Sequence, residues 1–521
     1  MKHRYIQQLT LLATLATVLN ISAQQAPKLV VNIIVDQLRT DYLQAFSPLY
    51  GNNGFKRLLS QGLVYQNAYY PFTQTDRSSA AAALSSGTTP YYNGIIGNRL
   101  FNRETLRSMS CVDDKQFNGI YTDDCSSAAS MKVTTIGDEL KMASSGKSIV
   151  YSIAPERDAA IMLAGHAADG AIWIDDAKGL WCSSTYYQKQ APDWLVEYNN
   201  DRTLIDSRNN TWQPYGEISG SVLFFMDGGM QNPFSHKFSG ENQFRLFKTS
   251  GLVNEAVTDL AMKCVASASI GTDQITDILY VTYYAGKFDH RPFAECQMEL
   301  QDTYLRLDIE IGKLVSGIQQ KIGDNDVMFV MTSTGYAEED INDYEQYRIP
   351  TGTFYINRAA NLLNMYFGAV WGQDNYIDTA FGQQIYLNRK ILEKKNISLN
   401  DATNRARELL MQMAGVRNIY TAQELLQSSN ENLVKVRNSF NMENSGDILI
   451  EVVPGWRSIN EDTMESSVSN VSFIQFPIIF YGANVIGETI KSPTSVDRIA
   501  PTLSRAIRIR APNACSSEPL F

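Results

Sequence analysis

The sequence predicts an α/β fold built on a largely parallel central sheet, with helices on its faces. Strand-like and helix-like runs alternate along the chain, the pattern of strands joined by crossover helices. The strand-like runs at 29–35, 278–283 and 327–332 are near-continuous stretches of apolar residues, the kind buried on both faces of a parallel sheet. At 521 residues, 44% of them apolar and 11% aromatic, the chain can bury a large core. α/β proteins of this size often form one large domain carrying insertions.

In chain order, Lys2, His3 and Arg4 precede an apolar run from Leu9 to Leu19, and Ile21-Ser-Ala23 offers small residues before Gln24. This reads as a signal peptide over residues 1–23, with 24–521 left as one exported domain. The apolar run falls short of the ~20 residues that span a bilayer, and no later segment is long and apolar enough, so no membrane span is expected. Export would place the protein in the periplasm, at the outer membrane or outside the cell. The run 29–35 closes on Asp36, and ligands of parallel sheets sit at the carboxyl edge. Asp36 and the segments following Tyr283 and Thr332 are therefore the positions to interrogate. From about 169 to 242 the chain turns rich in Trp, Tyr, Asn and Asp and reads as an insertion. A second insertion, about 355–441, carries helical stretches at 388–393 and 401–413, the latter with Asn400 or Asp401 as its expected cap.

A formal charge of −10 argues against a nucleic-acid partner, because phosphate backbones select basic surfaces. The six cysteines show no Cys-x-x-Cys spacing and no zinc-finger pattern. Some should pair in an oxidising compartment. Cys111 and Cys125 flank a short acidic, turn-prone stretch and are the expected bridge; the alternative is six buried thiols.

A series of blocks runs in order through the chain. Leu29-Val-Val-Asn-Ile-Ile-Val-Asp36 is followed by Gly54-Phe-Lys-Arg-Leu-Leu59, Ser86-Gly-Thr-Thr-Pro-Tyr-Tyr-Asn-Gly-Ile-Ile-Gly-Asn98 and Ala164-Gly-His-Ala-Ala-Asp169. Later come Asp302-Thr-Tyr-Leu-Arg-Leu-Asp308, Ser445-Gly-Asp447, Pro454-Gly-Trp456, Phe476-Pro-Ile-Ile-Phe-Tyr-Gly482 and Asp497-Arg-Ile-Ala-Pro-Thr-Leu503. Over about 28–516 these resemble the alkaline phosphatase superfamily, in the secreted phosphate-irrepressible branch with its nucleotide pyrophosphatase/phosphodiesterase relatives. The resemblance implies an alkaline-phosphatase-like core with cap insertions, the stretch 169–242 among them. It also implies a two-zinc site holding a nucleophilic Thr, a first-strand Asp, an Asp-x-x-x-His pair, an Asp-His dipeptide and a late His. Such a pair of cations stabilises both attacking and leaving oxygens.

Set against that pattern, only the first-strand acid is in place, as Asp36, a vestigial metal ligand. Ungapped counting from Gly62 to Pro90 puts Arg77 where the nucleophile belongs; Thr75 and Ser78 are the neighbouring hydroxyls, and a one-residue slip would bring Ser78 into register. Counting back from Asp302 puts Lys287 and Arg291 at the Asp-x-x-x-His positions, and neither Asp289 nor His290 restores the pair. The Asp-His dipeptide reads Thr334-Gly335, with Glu338, Glu339 and Asp340 further on, and the late His falls on Gln475. Asn98 matches the family's phosphate-clamping Asn, while Arg157 is a looser candidate for an anion contact. His166 and His236 read as structural.

Two readings follow. In the leading one the chain is a catalytically silent family member serving binding or scaffolding in the cell envelope. It would bind a partner protein of the envelope or outer membrane, or a small anionic ligand, with no cofactor expected. In the alternative it is an active phosphatase or phosphodiesterase with zinc or another divalent cation, or with a Ser or water nucleophile. Arg77 is expected to contact Asp36 and stand in for a metal's charge, since a buried carboxylate without a cation is costly.

Overall fold

The computed structural model describes residues 25–201, 204–205, 210–216, 234–338, 344–345, 348–427, 430, 433–469 and 474–521. The expected signal peptide lies outside the described residues. Eight strands carry the centre of the molecule: β1 Leu29–Asp36, β2 Leu63–Tyr69, β3 Val150–Ile153, β4 Gly170–Ile174, β5 Trp181–Ser184, β6 Asp277–Tyr284, β7 Val327–Ser333 and β8 Phe476–Gly482. They lie side by side in the order β2-β8-β7-β1-β6-β3-β4-β5. The run from β7 to β4 is parallel; β8 and β5 are antiparallel to their neighbours. β1, all eight residues buried, is therefore central, with β6 and β7 on either side.

Four helices cover the two faces: α1 Arg77–Ser86, α2 Arg157–Ala164, α3 Leu252–Ser267 and α4 Gln297–Ile322. β1 shows how the strand period divides the core. Val31, Ile33 and Val35 pack with Val257, Leu260, Leu307 and Leu314 of α3 and α4. Val30 and Ile34 join the core that holds Ala80–Ala83 of α1 and Ala159–Leu163 of α2. The small side chains of α1 and α2 let these two helices sit close together. Each fully buried aliphatic side chain contributes about 1.5–3 kcal/mol by leaving water, so the central strand is the most strongly anchored part of the chain.

Residues 352–468 add two small sheets, one of Gly352–Tyr355, Trp456–Asn460 and Glu465–Val468, the other of Ile377–Phe381, Gln384–Leu387, Ile448–Val452 and Val416–Thr421. They share a separate apolar cluster that includes Phe354, Leu363, Phe367, Ile385, Leu410 and Ile450. The fully buried Asp447 ties this region to the core: it accepts from Arg103 at 3.0 Å, Arg389 at 2.7 Å and the Leu387 amide at 2.8 Å.

Two expectations need correction. Helix Leu399–Leu410 is capped by Ser398, whose hydroxyl accepts from the Asp401 amide at 3.0 Å. Asn400 and Asp401 already lie inside its first turn, so neither caps it. The bridge between Cys111 and Cys125 is not formed, and all six cysteines are free thiols. Asp113 pairs with Ser126, and the Asp114 amide donates to the Cys125 carbonyl, so Cys125 lies opposite Asp114 rather than Cys111. Among the described residues, no helix is long and apolar enough to cross a membrane.

Candidate active site

The site sits at the carboxyl edge of β1. Asp36 ends the strand 2% exposed, and Gln37 turns the chain away at once with φ of 64°. Thr334, just past β7, donates its hydroxyl to Asp36 Oδ1 at 2.9 Å and accepts from the Gln37 amide at 3.0 Å. Tyr336 brings its hydroxyl to 3.4 Å from Asp36 Oδ2.

The opposite wall is the start of α1. Asp76 caps the helix, its carboxylate accepting from the Ser79 amide while Ser79 Oγ accepts from the Asp76 amide. This reciprocal box satisfies two otherwise orphaned amides and fixes Arg77 as the first helical residue. Arg77 Nε then donates to Asp36 Oδ2 at 2.9 Å, and its Nη1 stands 3.6 Å from Asp158 Oδ1. Burial raises the Asp36 carboxyl; Arg77 and the Thr334 hydroxyl pull it back only part of the way, so it stays above its ordinary range. Burial works against the charge of the Arg77 guanidinium, but Tyr336, Asp36, Asp158 and Glu156 outweigh it and hold the group charged.

Ser78 is fully buried and donates its hydroxyl to Asp158 Oδ2 at 2.7 Å, while its amide donates to Asn98 Oδ1 at 3.2 Å. The Asn98 amide donates in turn to Asp76 Oδ2 at 2.6 Å. Arg77, Ser78, Asn98 and Asp36 are thus brought together, joined by Asp158 from the first turn of α2. Arg157, next to Asp158, turns the other way, to Asp113 at 2.8 Å, Ser126 at 3.1 Å and Asp124 at 3.4 Å. Beyond them Lys248, nearly fully buried, bridges Glu156 at 2.8 Å and Asp176 at 2.5 Å. Burial pushes the Glu156 carboxyl up, but Lys248 and Arg77 outweigh it and hold Glu156 at about 2.

His290 does not reach this cluster as a third metal-ligating group. It follows Asp289, both with φ near 50°, and its Nδ1 pairs with Glu338 Oε2 at 2.7 Å. Arg291 lies 3.6 Å from Asp289 and over the Phe288 ring, and Lys287 is buried with its carbonyl accepting from Tyr284. His166 contacts Tyr186 and the Val133 carbonyl, and His236 pairs with Glu299 at 2.7 Å. Among the described residues, no group of three or more His, Cys, Asp and Glu side chains is placed to hold a metal ion.

A groove of about 1240 Å³ opens beside the site. Thr75, Asp76, Asn98, His290, Tyr336 and Glu338 form its inner end, and residues of the two small sheets form its far wall. Sequence reasoning missed Asp158, Thr334, Tyr336 and the Lys248 bridge as members of the site. Only tertiary packing brings α2 and the ends of β1 and β7 together, although the acid adjoining Arg157 at a helix start was a local signal.

The comparisons with known proteins agree with this architecture. The family model described as Type I phosphodiesterase / nucleotide pyrophosphatase matches residues 30–474. Alkaline phosphatase PafA of Elizabethkingia meningoseptica is 28% identical over 518 residues, covering 96% of this chain and 95% of the relative. Alkaline phosphatase PhoV of Synechococcus elongatus is 27% identical over 504 residues, covering 94% and 91%. The crystal structure of wild-type PafA superposes with a TM-score of 0.83 at 26% identity, covering 96% of this chain and 99% of that one. The chain belongs to the Type I phosphodiesterase / nucleotide pyrophosphatase family, within the alkaline phosphatase superfamily.

Proposed function

We propose that this protein keeps the phosphatase scaffold for binding, with its two-metal centre replaced by an internal ion-pair network. The observation that carries the reading is the bond from Arg77 Nε to Asp36 Oδ2 at 2.9 Å. A guanidinium occupies the place of the relatives' nucleophile and uses the carboxylate that would bind a metal. The donor set does not fit two zinc ions. Asp36 has both oxygens engaged by Arg77 and Thr334, and the sequence places Lys287, Arg291, Thr334 and Gln475 where carboxylate and imidazole donors are needed. What it binds is a partner in the cell envelope or a ligand in the groove, after export by the N-terminal segment. At the inner site Arg77 and Arg157 already face carboxylates, so a small anion would have to use the groove's own cations, Arg99, Arg417, Lys435 and Arg457.

The second reading, phosphate-ester hydrolysis by a non-standard nucleophile or metal, has two supports. The relatives carry alkaline phosphatase names, and on their own they favour this reading over the first. Ser78 also donates to Asp158 at 2.7 Å, an alcohol beside a carboxylate able to take its proton. Elemental analysis and phosphate-monoester turnover with added Zn²⁺, Mg²⁺ or Ca²⁺ separate the two. Substoichiometric metal and no turnover above background support binding; turnover lost in Ser78→Ala or Asp36→Ala establishes hydrolysis.

A further inference from the structure

We propose that the groove beside the site takes an extended polyhydroxylated ligand, a neutral oligosaccharide chain. At about 1240 Å³ it is far larger than a phosphate group needs, and it exceeds the roughly 300–1,000 Å³ of ordinary small-molecule sites. Its walls combine ring faces with hydrogen-bonding groups whose charges balance, since the basic side chains Arg99, Arg417, Lys435 and Arg457 are matched by as many carboxylates. Phe381 and Tyr420 come from the small sheets, while the Tyr69 ring on the core side carries Lys435 at 4.9 Å from its centroid. The Gln74 amide donates to the Gln383 side chain at 3.0 Å, an uncharged link between the two walls.

Glu465 specifies the polarity of the ligand. It lines the groove at the start of an edge strand, and its Oε2 is buried with no hydrogen-bond partner among the described residues. A buried carboxylate oxygen left unpaired is costly, and what relieves it is a donor such as a sugar hydroxyl. An anionic ligand oxygen would be repelled there. Aromatic rings supply flat apolar surface at low entropic cost with polar groups at their rims, suited to sugar rings that are apolar on their faces and hydroxylated at their edges.

This inference rests on the reading of a binding protein, and the two fail separately: turnover of phosphate esters removes that reading, while the following experiment tests the ligand class. The purified full chain is titrated calorimetrically with neutral hexasaccharides of glucose, mannose, galactose and N-acetylglucosamine, with inorganic phosphate and an unstructured peptide as comparisons. Saturable binding of at least one hexasaccharide is expected. Phe381→Ala should weaken it at least tenfold and Glu465→Gln severalfold, with melting temperatures unchanged. Because Tyr420 is largely buried, Phe381 and Glu465 are the variants of choice. No hexasaccharide binding up to saturating concentrations, binding indifferent to both variants, or binding of only phosphate or peptide overturns the proposal.

Discussion

Replacing Arg77 by Met removes the charge but keeps much of the side-chain length, and the structure sets the expected cost. The Asp36 side chain is 4% exposed and that of Arg77 15%, so solvent can do little to replace the lost partner. Two unit charges about 4 Å apart at an effective dielectric near 20 attract by about 4 kcal/mol. Mutational experience with broken buried pairs gives about 3–5 kcal/mol. The loss must also depend on pH. Burial already raises the Asp36 pKa in the folded state, and removing Arg77 raises it further. A carboxyl with a raised folded pKa binds more protons folded than unfolded, so stability falls as pH rises from the unfolded value, about 3.9, through the folded one. The deficit of Arg77→Met should therefore be largest near neutral pH or above and shrink on acidification. Asp36→Asn on the same background should recover most of it, since a neutral isostere no longer demands a cation. Urea midpoints at two pH values for the single variants and the double variant measure all three terms. A loss under about 1 kcal/mol at neutral pH, or additive single and double variants, would refute the claim that Arg77 serves as the site's internal cation.

Lys248→Met should cost about 3–5 kcal/mol by stranding Glu156 beside Asp176; in the parent, Glu156's contribution is present above its unfolded pKa and is lost only as pH falls toward about 2, read by melting temperature against pH. His290, raised by Glu338, contributes stability that is present below its unfolded pKa and lost as pH rises through the folded one; because it is half exposed the effect should stay under about 1 kcal/mol, and Glu338→Gln should lower the His290 pKa measured by NMR. Cys111, Cys182 and Cys264 are buried, and burial raises their thiols, so a thiol reagent should label them only after unfolding. A bridged Cys111–Cys125 pair in peptide mapping would contradict the free thiols found here. Asp447→Asn should loosen residues 352–468 from the core, seen as new sites of limited proteolysis there, because Arg103 and Arg389 lose their shared carboxylate.

The sheet was legible because its central strands have no solvent face: an apolar run such as Leu29–Val35 admits few other placements, and an acid at its end must lie on the sheet's edge. Arg77 could be placed because its flanking blocks fit without a gap, and its contact with Asp36 followed from charge alone. Asp158 and Thr334 could not, because their approach to Asp36 depends on how α2 and the end of β7 pack, which no local pattern encodes. The Cys111–Cys125 expectation failed for a related reason. Sequence proximity suggested a bridge, but backbone pairing between Asp113 and Ser126 set a register that separates the thiols. Cap placement missed by two or three residues because Ser398, Asn400 and Asp401 can each cap a helix, and the choice falls to whichever residue keeps an extended backbone.

On the binding reading, charge favours closure of the inner site over phosphate binding. Asp36, Asp158 and Glu156 stand around Arg77, and Lys248 is the next cation, itself shared between Glu156 and Asp176. A pair of divalent cations would bring four positive charges to this edge; here a single guanidinium faces three carboxylates. A phosphate ester that took Arg77 from Asp36 would leave a buried carboxylate unpaired. Each repulsive pair at about 4 Å would add about 4 kcal/mol at the same effective dielectric. A hydroxylated neutral ligand pays none of this, because it can leave the ion network intact and still donate to Glu465 and the amides along the groove. On the binding reading, a network that takes the metals' place would also shift recognition outward, from the floor of the site to the walls of the groove.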